Sequence, residues 1–556
     1  MSLIIPPVLV DKPTFQLRPN QVPHFERIKQ ILQKFYFYVD GSEMGTGKTY
    51  VATAVAKHYN LPCIVVCPLA ARKTWVDVLG TYGVGVYNLP ETGGVLTYDT
   101  LRTRKGLQPK HGLLSRSEGS PVQFFGTEML RKIIEAGVLI IFDECQKLKN
   151  TSAQFLAAKE VVRQIYAFGS KSRIALLSGT VMDKAVHAVN FLRMVGFINH
   201  RNLYTKIRGK PEMKGVSELY EWSMRIDPVG TQKFLEQNPF KYNSNEAIDH
   251  VFALFSDVIR PKIMSIMQRN PTSAIKDVKN GFYYMDKEDV KNYELAINQL
   301  SSVLRYNPET GAIIQKSGSM GAVTNALVLI QCSKVRAMIR VAKETLAKIS
   351  TNEKGEKITP KIVLFADYYE VINEILKELK EYSPVELTGR ISEKKRNSTI
   401  DAFQMPSSDV RVLVGNPLVG GLAVSLHDTT GLFPRYMYVM SGYRANELHQ
   451  ATGRIYRDGV VGTAYIRFFY GLSGTPEKCI LDALSRKGEV MGTVHKEQSD
   501  YGVQFPHEYE DEYETDDLGD VNGLPGIVPS NMNVVDFETE SGPLLSDEDS
   551  DGWSLD

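Results

Sequence analysis

Along this chain, short apolar runs alternate with amphipathic stretches, and the alternation occurs twice. The first series of runs covers 35–39, 62–68, 94–98, 137–142 and 173–177. Runs this short and this continuously apolar read as strands buried on both faces, as in a parallel sheet covered by helices. A second series covers 361–366, 411–415, 436–440 and 463–470, with an amphipathic helical stretch at 369–381. Between the two series the period changes. Ile248, Val251, Phe252, Phe255, Val258 and Ile259 recur at helical spacing, and 320–349 is one long helical pattern. The stretch 101–123 is polar, basic and glycine-containing, and reads as a loop. The pattern predicts an α/β protein with two parallel-sheet lobes, at 1–196 and 360–497, and a mostly helical insertion or bridge at 197–359. The tail at 498–556 has no sustained period and is expected to be disordered.

Composition changes this picture little, and charge changes it more. A length of 556 residues exceeds a single core, and 43% hydrophobic with 23% charged residues is ordinary for a globular protein. No apolar run reaches the length of a membrane span, and the N-terminus lacks a basic stretch ahead of a long apolar core, so neither a membrane nor a secretory leader is expected. The five cysteines are scattered, with only Cys63 and Cys67 close together and within an apolar run. Zinc is therefore not expected, and a reducing intracellular compartment is: cytoplasm, nucleus or, for a viral protein, the host cell. The net charge of +1 conceals a segregation. Residues 501–556 hold 16 of the acids and no Lys or Arg, which leaves 65 basic against 48 acidic residues in 1–500, about +17. A basic body with an acidic tail is the asymmetry of a polyanion-binding protein, and the tail could instead dock a basic protein partner.

Two local patterns carry chemistry. The first is Ser42-Glu43-Met44-Gly45-Thr46-Gly47-Lys48-Thr49, which lies between a strand-like and a helix-like segment. A glycine-rich turn at a helix N-terminus aims backbone N–H groups at phosphate; Lys48 would reach the β- and γ-phosphates and Thr49 would bind Mg²⁺. The strict pattern wants glycine where Ser42 stands. The second is Asp143-Glu144-Cys145-Gln146, at the end of the apolar run 137–142. Carboxylates there face the ligand crevice of an open α/β sheet; Asp143 could hold Mg²⁺ and Glu144 could orient or deprotonate water.

Two α/β series with a phosphate loop in the first resemble the paired RecA-like lobes of superfamily 2 helicases and translocases, and specific strings resemble the Swi/Snf-like branch. Leu17-Arg18-Pro19-Asn20-Gln21 is similar to the family's adenine-reading segment, with Gln21 in the glutamine position. Glu43 to Thr49 is close to its motif I. Val65 to Leu69 with Trp75 resembles motif Ia, and Leu96 to Leu101 motif Ib. Asp143-Glu144-Cys145-Gln146-Lys147-Leu148-Lys149-Asn150 resembles motif II, and Ser178-Gly179-Thr180 motif III. In the second series Leu387-Thr388-Gly389 with Arg396 and Phe403, then Gly420 to Leu426, then Gln450 to Gly459 resemble the region after motif IV, motif V and motif VI. The compact build is closer to helicases of large DNA viruses and phages than to chromatin remodellers.

The resemblance implies ATP and Mg²⁺ as cofactors. Gln21, Gly45, Thr46, Gly47, Lys48 and Thr49 would bind the nucleotide, and Thr49 and Asp143 the metal. Lys48, Glu144, Arg454 and Arg457 would be catalytic, the two arginines meeting the γ-phosphate as the lobes close. It implies an ATP-dependent translocase or helicase, with DNA favoured as the partner. An RNA helicase and a catalytically weak nucleic-acid-binding scaffold are the alternatives. Arg72, Lys73, the run Arg102 to Lys105, Thr388-Gly389 and a basic finger at Lys206 to Lys210 are candidate contacts to the polymer. Ser42, Ser178 and Gln146 depart from the family's commoner residues. Gln146 is expected to hydrogen-bond across the lobe interface, altering coupling rather than hydrolysis.

Overall fold

The computed structural model describes residues 16–494, apart from 105, 120, 170, 201, 208–209, 240–243, 268–273, 283–284, 307–312, 316–319, 407, 418–424, 441–447, 449–450, 458, 471–489 and 492. The expected tail, the expected motif V up to Val424, and Gln450 lie outside the described residues.

Two six-stranded sheets carry the fold, and every strand pair within them is parallel. In the first, β1 (Phe37–Asp40), β2 (Cys63–Cys67), β3 (Val95–Thr97), β4 (Leu139–Asp143), β5 (Arg173–Leu177) and β6 (Met264–Ser265) stand in the order β6-β1-β5-β4-β2-β3. In the second, β7 (Lys276–Phe282), β8 (Lys361–Phe365), β9 (Val385–Leu387), β10 (Val412–Gly415), β11 (Arg435–Met440) and β12 (Ala464–Tyr470) stand in the order β7-β12-β11-β8-β10-β9. Apart from 94–98, which becomes the edge strand β3, the apolar runs read from the sequence are interior strands, and β1, β2, β4, β8 and β10 are buried along their length. Each Val, Ile or Leu removed from water there contributes about 1.5–3 kcal/mol before the entropy of ordering it is counted. Alternate residues of each strand feed separate cores on the two faces. Val39, Ile64 and Ile140 pack on one face of the first sheet, and Tyr38, Val65 and Ile141 on the other. Val363 and Leu364 divide the second sheet in the same way.

The stretch 197–359, read as a helical bridge, divides between the two sheets. Val216, Leu219, Phe234, Val251, Phe255 and Ile259 pack into the first lobe's core, and the segment returns β6 to that sheet's edge. The helical spacing at 248–259 forms Ser244–Leu254 followed by a π-turn at Phe255–Ile259. Past β6 the chain enters the second lobe as edge strand β7. The long helix Met320–Ala347 covers a face of the second sheet through Val335, Met338, Ala342 and Leu346. The reason is physical. Helical periodicity tells which face of a helix is apolar, but not which sheet that face will cover.

Smaller differences follow the same logic. The region 101–123, read as a loop, contributes strand Leu114–Arg116 to a hairpin with Phe124–Gly126. Of the candidate basic finger, Lys206 and Ile207 lie on strand Thr205–Ile207 and Lys210 on its antiparallel partner Lys210–Glu212, while 208–209 lie outside the described residues. Among the described residues no helix is long and apolar enough to cross a membrane.

Candidate functional site

The phosphate-type loop follows β1 directly and ends where α1 (Lys48–His58) begins. Its two glycines sit at φ +83° (Gly45) and +97° (Gly47), the left-handed region that a Cβ makes costly. At Gly47 a Cβ would also come within 2.4 Å of Gln21 Nε2. Gln21 braces the loop: its Oε1 accepts from Arg18 N at 3.0 Å and its Nε2 donates to the Thr46 carbonyl at 3.1 Å. The Thr46 hydroxyl closes the turn onto the Glu43 carbonyl at 2.7 Å. Lys48 Nζ donates to the carbonyls of Ser42 and Glu43 at 2.8 and 3.0 Å, so its ammonium lies folded along the loop. Thr49 follows on the first turn of α1, half-buried.

Asp143 closes β4, next to β5 and one strand removed from β1. Its Oδ2 accepts from Trp75 Nε1 at 2.8 Å and its Oδ1 from Glu144 N at 3.1 Å. Burial, and then the neighbouring Glu144, push the Asp143 carboxyl up to about 7, with Trp75 and Lys48 opposing. Glu144 holds φ +55°, an uncommon conformation for a residue with a side chain. Strain of this kind clusters at functional sites. A chain of short contacts runs from it: Gln146 Nε2 donates to Glu144 Oε2 at 2.6 Å, Ser178 Oγ donates to Gln146 Oε1 at 2.6 Å, and Thr180 N donates to Ser178 Oγ at 2.9 Å. The hydrogen bonds of Gln146 therefore run within the first lobe, between motifs II and III, rather than across the interface. Gln146 and Ser178, the two departures from the family pattern in these motifs, are each other's partners.

The second lobe brings its arginines to the same place. Arg457 donates to the Gly453 carbonyl and to Ser425 Oγ, both at 3.0 Å. Its side chain lies against the loop, and a Cβ placed on Gly45 would meet Arg457 Cγ at 3.3 Å. Arg454 is fully buried; burial and then Arg457 lower its affinity for a proton, while Glu144 opposes them. Gln21, Gly45, Thr46, Gly47, Lys48, Thr49, Asp143, Glu144, Arg454 and Arg457 thus converge where the two sheets face one another. Two adjacent carboxylates, Asp143 buried and Glu144 half-buried, with Asp143 driven toward its neutral form, suit a divalent cation, which would relieve both charges.

The candidate polymer contacts are more scattered. Arg72 opens helix Arg72–Thr81 and is tied to the Thr92 carbonyl at 3.0 Å. Arg102 pairs with Asp99 at 2.9 Å. Thr388 is buried and bonded to Glu386, and the Gly389 carbonyl accepts from Arg396 at 3.0 Å. Lys105 lies outside the described residues.

Sequence reasoning missed three features of the site, two single residues and one buried pair. Trp75 and Tyr98 were noted only as motif residues, yet Trp75 bonds the Asp143 carboxylate and the Tyr98 hydroxyl donates to the Asp143 carbonyl at 2.8 Å. The third is a buried pair, His24 and Asp40; an aspartate ending an apolar strand was the one available signal.

No protein-family profile matches the chain. Among curated proteins it is similar to a putative ATP-dependent RNA helicase of Acanthamoeba polyphaga mimivirus, at 22% identity over 86% of this chain and 83% of that one. It is also similar to RAD54-like DNA repair and recombination proteins. The protein from Drosophila persimilis is 29% identical over 86% of this chain and 63% of its own length, and the human one 24% identical over 80% and 59%. The chain thus spans about three fifths of these RAD54-like relatives. A solved Sulfolobus solfataricus SWI2/SNF2 ATPase core in complex with dsDNA aligns over 85% of this chain at 17% identity, with a TM-score of 0.30, too loose a superposition to carry weight. The chain is thus similar to proteins named as an RNA helicase and as DNA repair and recombination proteins, which agrees with the family that its ordered motifs resemble.

Proposed function

We propose that the chain is a nucleic-acid-dependent ATPase that moves along duplex DNA. One observation carries the reading: Arg454 and Arg457 of the second lobe stand against the loop and the carboxylate pair of the first. Backbone N–H groups of 45–49 would cradle the phosphates, and Lys48 would leave its carbonyl partners for them. Thr49 and Asp143 would hold Mg²⁺, which supplies charge neutralisation at the phosphates when bound. Glu144, oriented by Gln146, would position the attacking water. Arg457 and Arg454 would meet the charge that develops on the γ-phosphate oxygens, so that turnover requires the lobes to be apposed. Gln21, engaged with the loop, would link adenine to loop geometry.

DNA is favoured as the polymer by the RAD54-like relatives; the mimivirus relative's name supports RNA as the second reading. The test is ATP hydrolysis with duplex DNA, single-stranded DNA, RNA and no polymer. Stimulation by duplex DNA above all others supports the proposal. RNA-selective stimulation replaces it with the second reading, and no hydrolysis under any condition leaves a binding scaffold.

A further inference from the structure

Beneath the loop lies a buried polar chain that the nucleotide chemistry above leaves unused. His24, on helix Gln21–Leu32, and Asp40, the last residue of β1, are both almost inaccessible to solvent and meet through Nε2 and Oδ2 at 2.9 Å. The other ring nitrogen of His24, Nδ1, lies 2.8 Å from Ser265 Oγ on β6. The other oxygen of Asp40, Oδ1, accepts from Ser42 N at 3.0 Å. Ser42 is the junction. Its hydroxyl accepts from Met267 N at 2.8 Å, and its carbonyl is one of the two that receive Lys48.

This places a carboxylate with no access to water directly behind the cation that the nucleotide needs. Burial pushes the Asp40 carboxyl up, but His24, Lys48 and Ser42 together hold it below its ordinary value, so it is charged. An unpaired buried charge is costly, and close to a phosphate site it would do two further things. It would draw Lys48 toward itself, and it would repel the incoming phosphates. A cation at His24 cancels both effects. The other charged or titratable groups around the pair are Lys48, the buried Tyr38 hydroxyl, and Arg27, one turn along the helix and engaged with the Pro261 carbonyl at 2.6 Å.

We propose that His24 is a positioning residue for Lys48: paired with Asp40 as an imidazolium, it neutralises the charge behind the loop, while Asp40 anchors the loop through Ser42. The inference rests on the ATPase reading. It makes the departure at Ser42 functional, since a hydroxyl there secures the loop to the residue two places after β6.

The test is steady-state ATP hydrolysis by the full-length chain with duplex DNA, comparing His24→Gln, Asp40→Asn and the double variant. Gln can still donate to Asp40 but carries no charge. H24Q should raise KM for ATP about tenfold with kcat within about twofold, and adding D40N should return KM to within about threefold of wild type. D40N alone keeps an acceptor for Ser42 and removes the charge, so KM should be no higher than in wild type. A strut that only fastens the helix to the sheet predicts the reverse: a lowered melting temperature, no selective effect on KM and no rescue by the second substitution. Wild-type KM in H24Q, or a double variant no better than the single, overturns the proposal. If H24Q does not fold, D40N decides: a tenfold rise in its KM overturns the proposal. An active wild type with unaffected variants overturns this inference alone, whereas an inactive wild type overturns the ATPase reading and this inference with it.

Discussion

Lys48 and Glu144 occupy the same crevice but should fail differently. Lys48→Ala removes a cation from the phosphates and should abolish turnover while weakening nucleotide binding. Glu144→Gln removes only the group that handles water and should abolish turnover with binding retained. Equilibrium binding of a fluorescent nucleotide beside ATPase rates separates the two, and a normal rate in either variant refutes the assignment. Gln146 acts one step further out. Its contact of 2.6 Å with Glu144 orients a side chain whose backbone is held at positive φ. Gln146→Ala should therefore lower kcat about tenfold and leave KM unchanged, as expected for an orienting group. The types of these residues were legible in the sequence, because Gly-Lys-Thr and Asp-Glu have local spacing. Their partners were not. Trp75 is 68 positions from Asp143, and Ser178 is 32 positions from Gln146. No local pattern encodes such contacts.

The buried central strands were readable because strands covered on both faces must be apolar throughout. Of the edge strands only β3 was, and β6, β7 and β9 were not. β6 has two residues, and β7, Lys276–Phe282, carries Lys276, Asp277, Lys279 and Asn280. An edge strand with polar residues resists pairing with other chains and for that reason looks like a loop. The placement of Arg457 was equally hidden, since it depends on how two separately folded sheets meet. Arg457→Ala should lower turnover about a hundredfold or more with nucleotide affinity nearly intact, and full DNA-stimulated activity in that variant would show that this arginine does not reach the γ-phosphate. Within the second lobe, Lys361 opens β8 yet is buried, donating to the carbonyls of Phe403 and Met405 at 2.7 and 3.1 Å. Burial lowers its pKa from 10.5 to about 8, with Arg435 adding to the effect. Between those values the unfolded chain binds the extra proton, so this group's contribution makes stability rise with pH from about 8 to 10.5. Denaturant melts at several pH values should show a steeper rise in wild type than in Lys361→Met; parallel curves would refute it. The variant should also lose about 1–3 kcal/mol for each carbonyl left buried without a donor.

At the scale of the whole molecule, charge segregation carries one prediction. The acids of 501–556 and the basic excess of 1–500 should attract one another, and on the proposed reading DNA would compete with the tail for the basic body. Deleting 501–556 should tighten DNA binding at low salt, and the gain should shrink as salt rises. Equal affinities across a salt series would leave the tail as a spacer or a docking segment. Connectivity has a different consequence. Every strand of the first sheet comes from 37–265 and every strand of the second from 276–470, so neither borrows from the other. During synthesis the first sheet can close completely before the second has left the ribosome. Afterwards the two are leashed by about ten residues, whose fully extended reach of about 35 Å caps how far their joined edges can part.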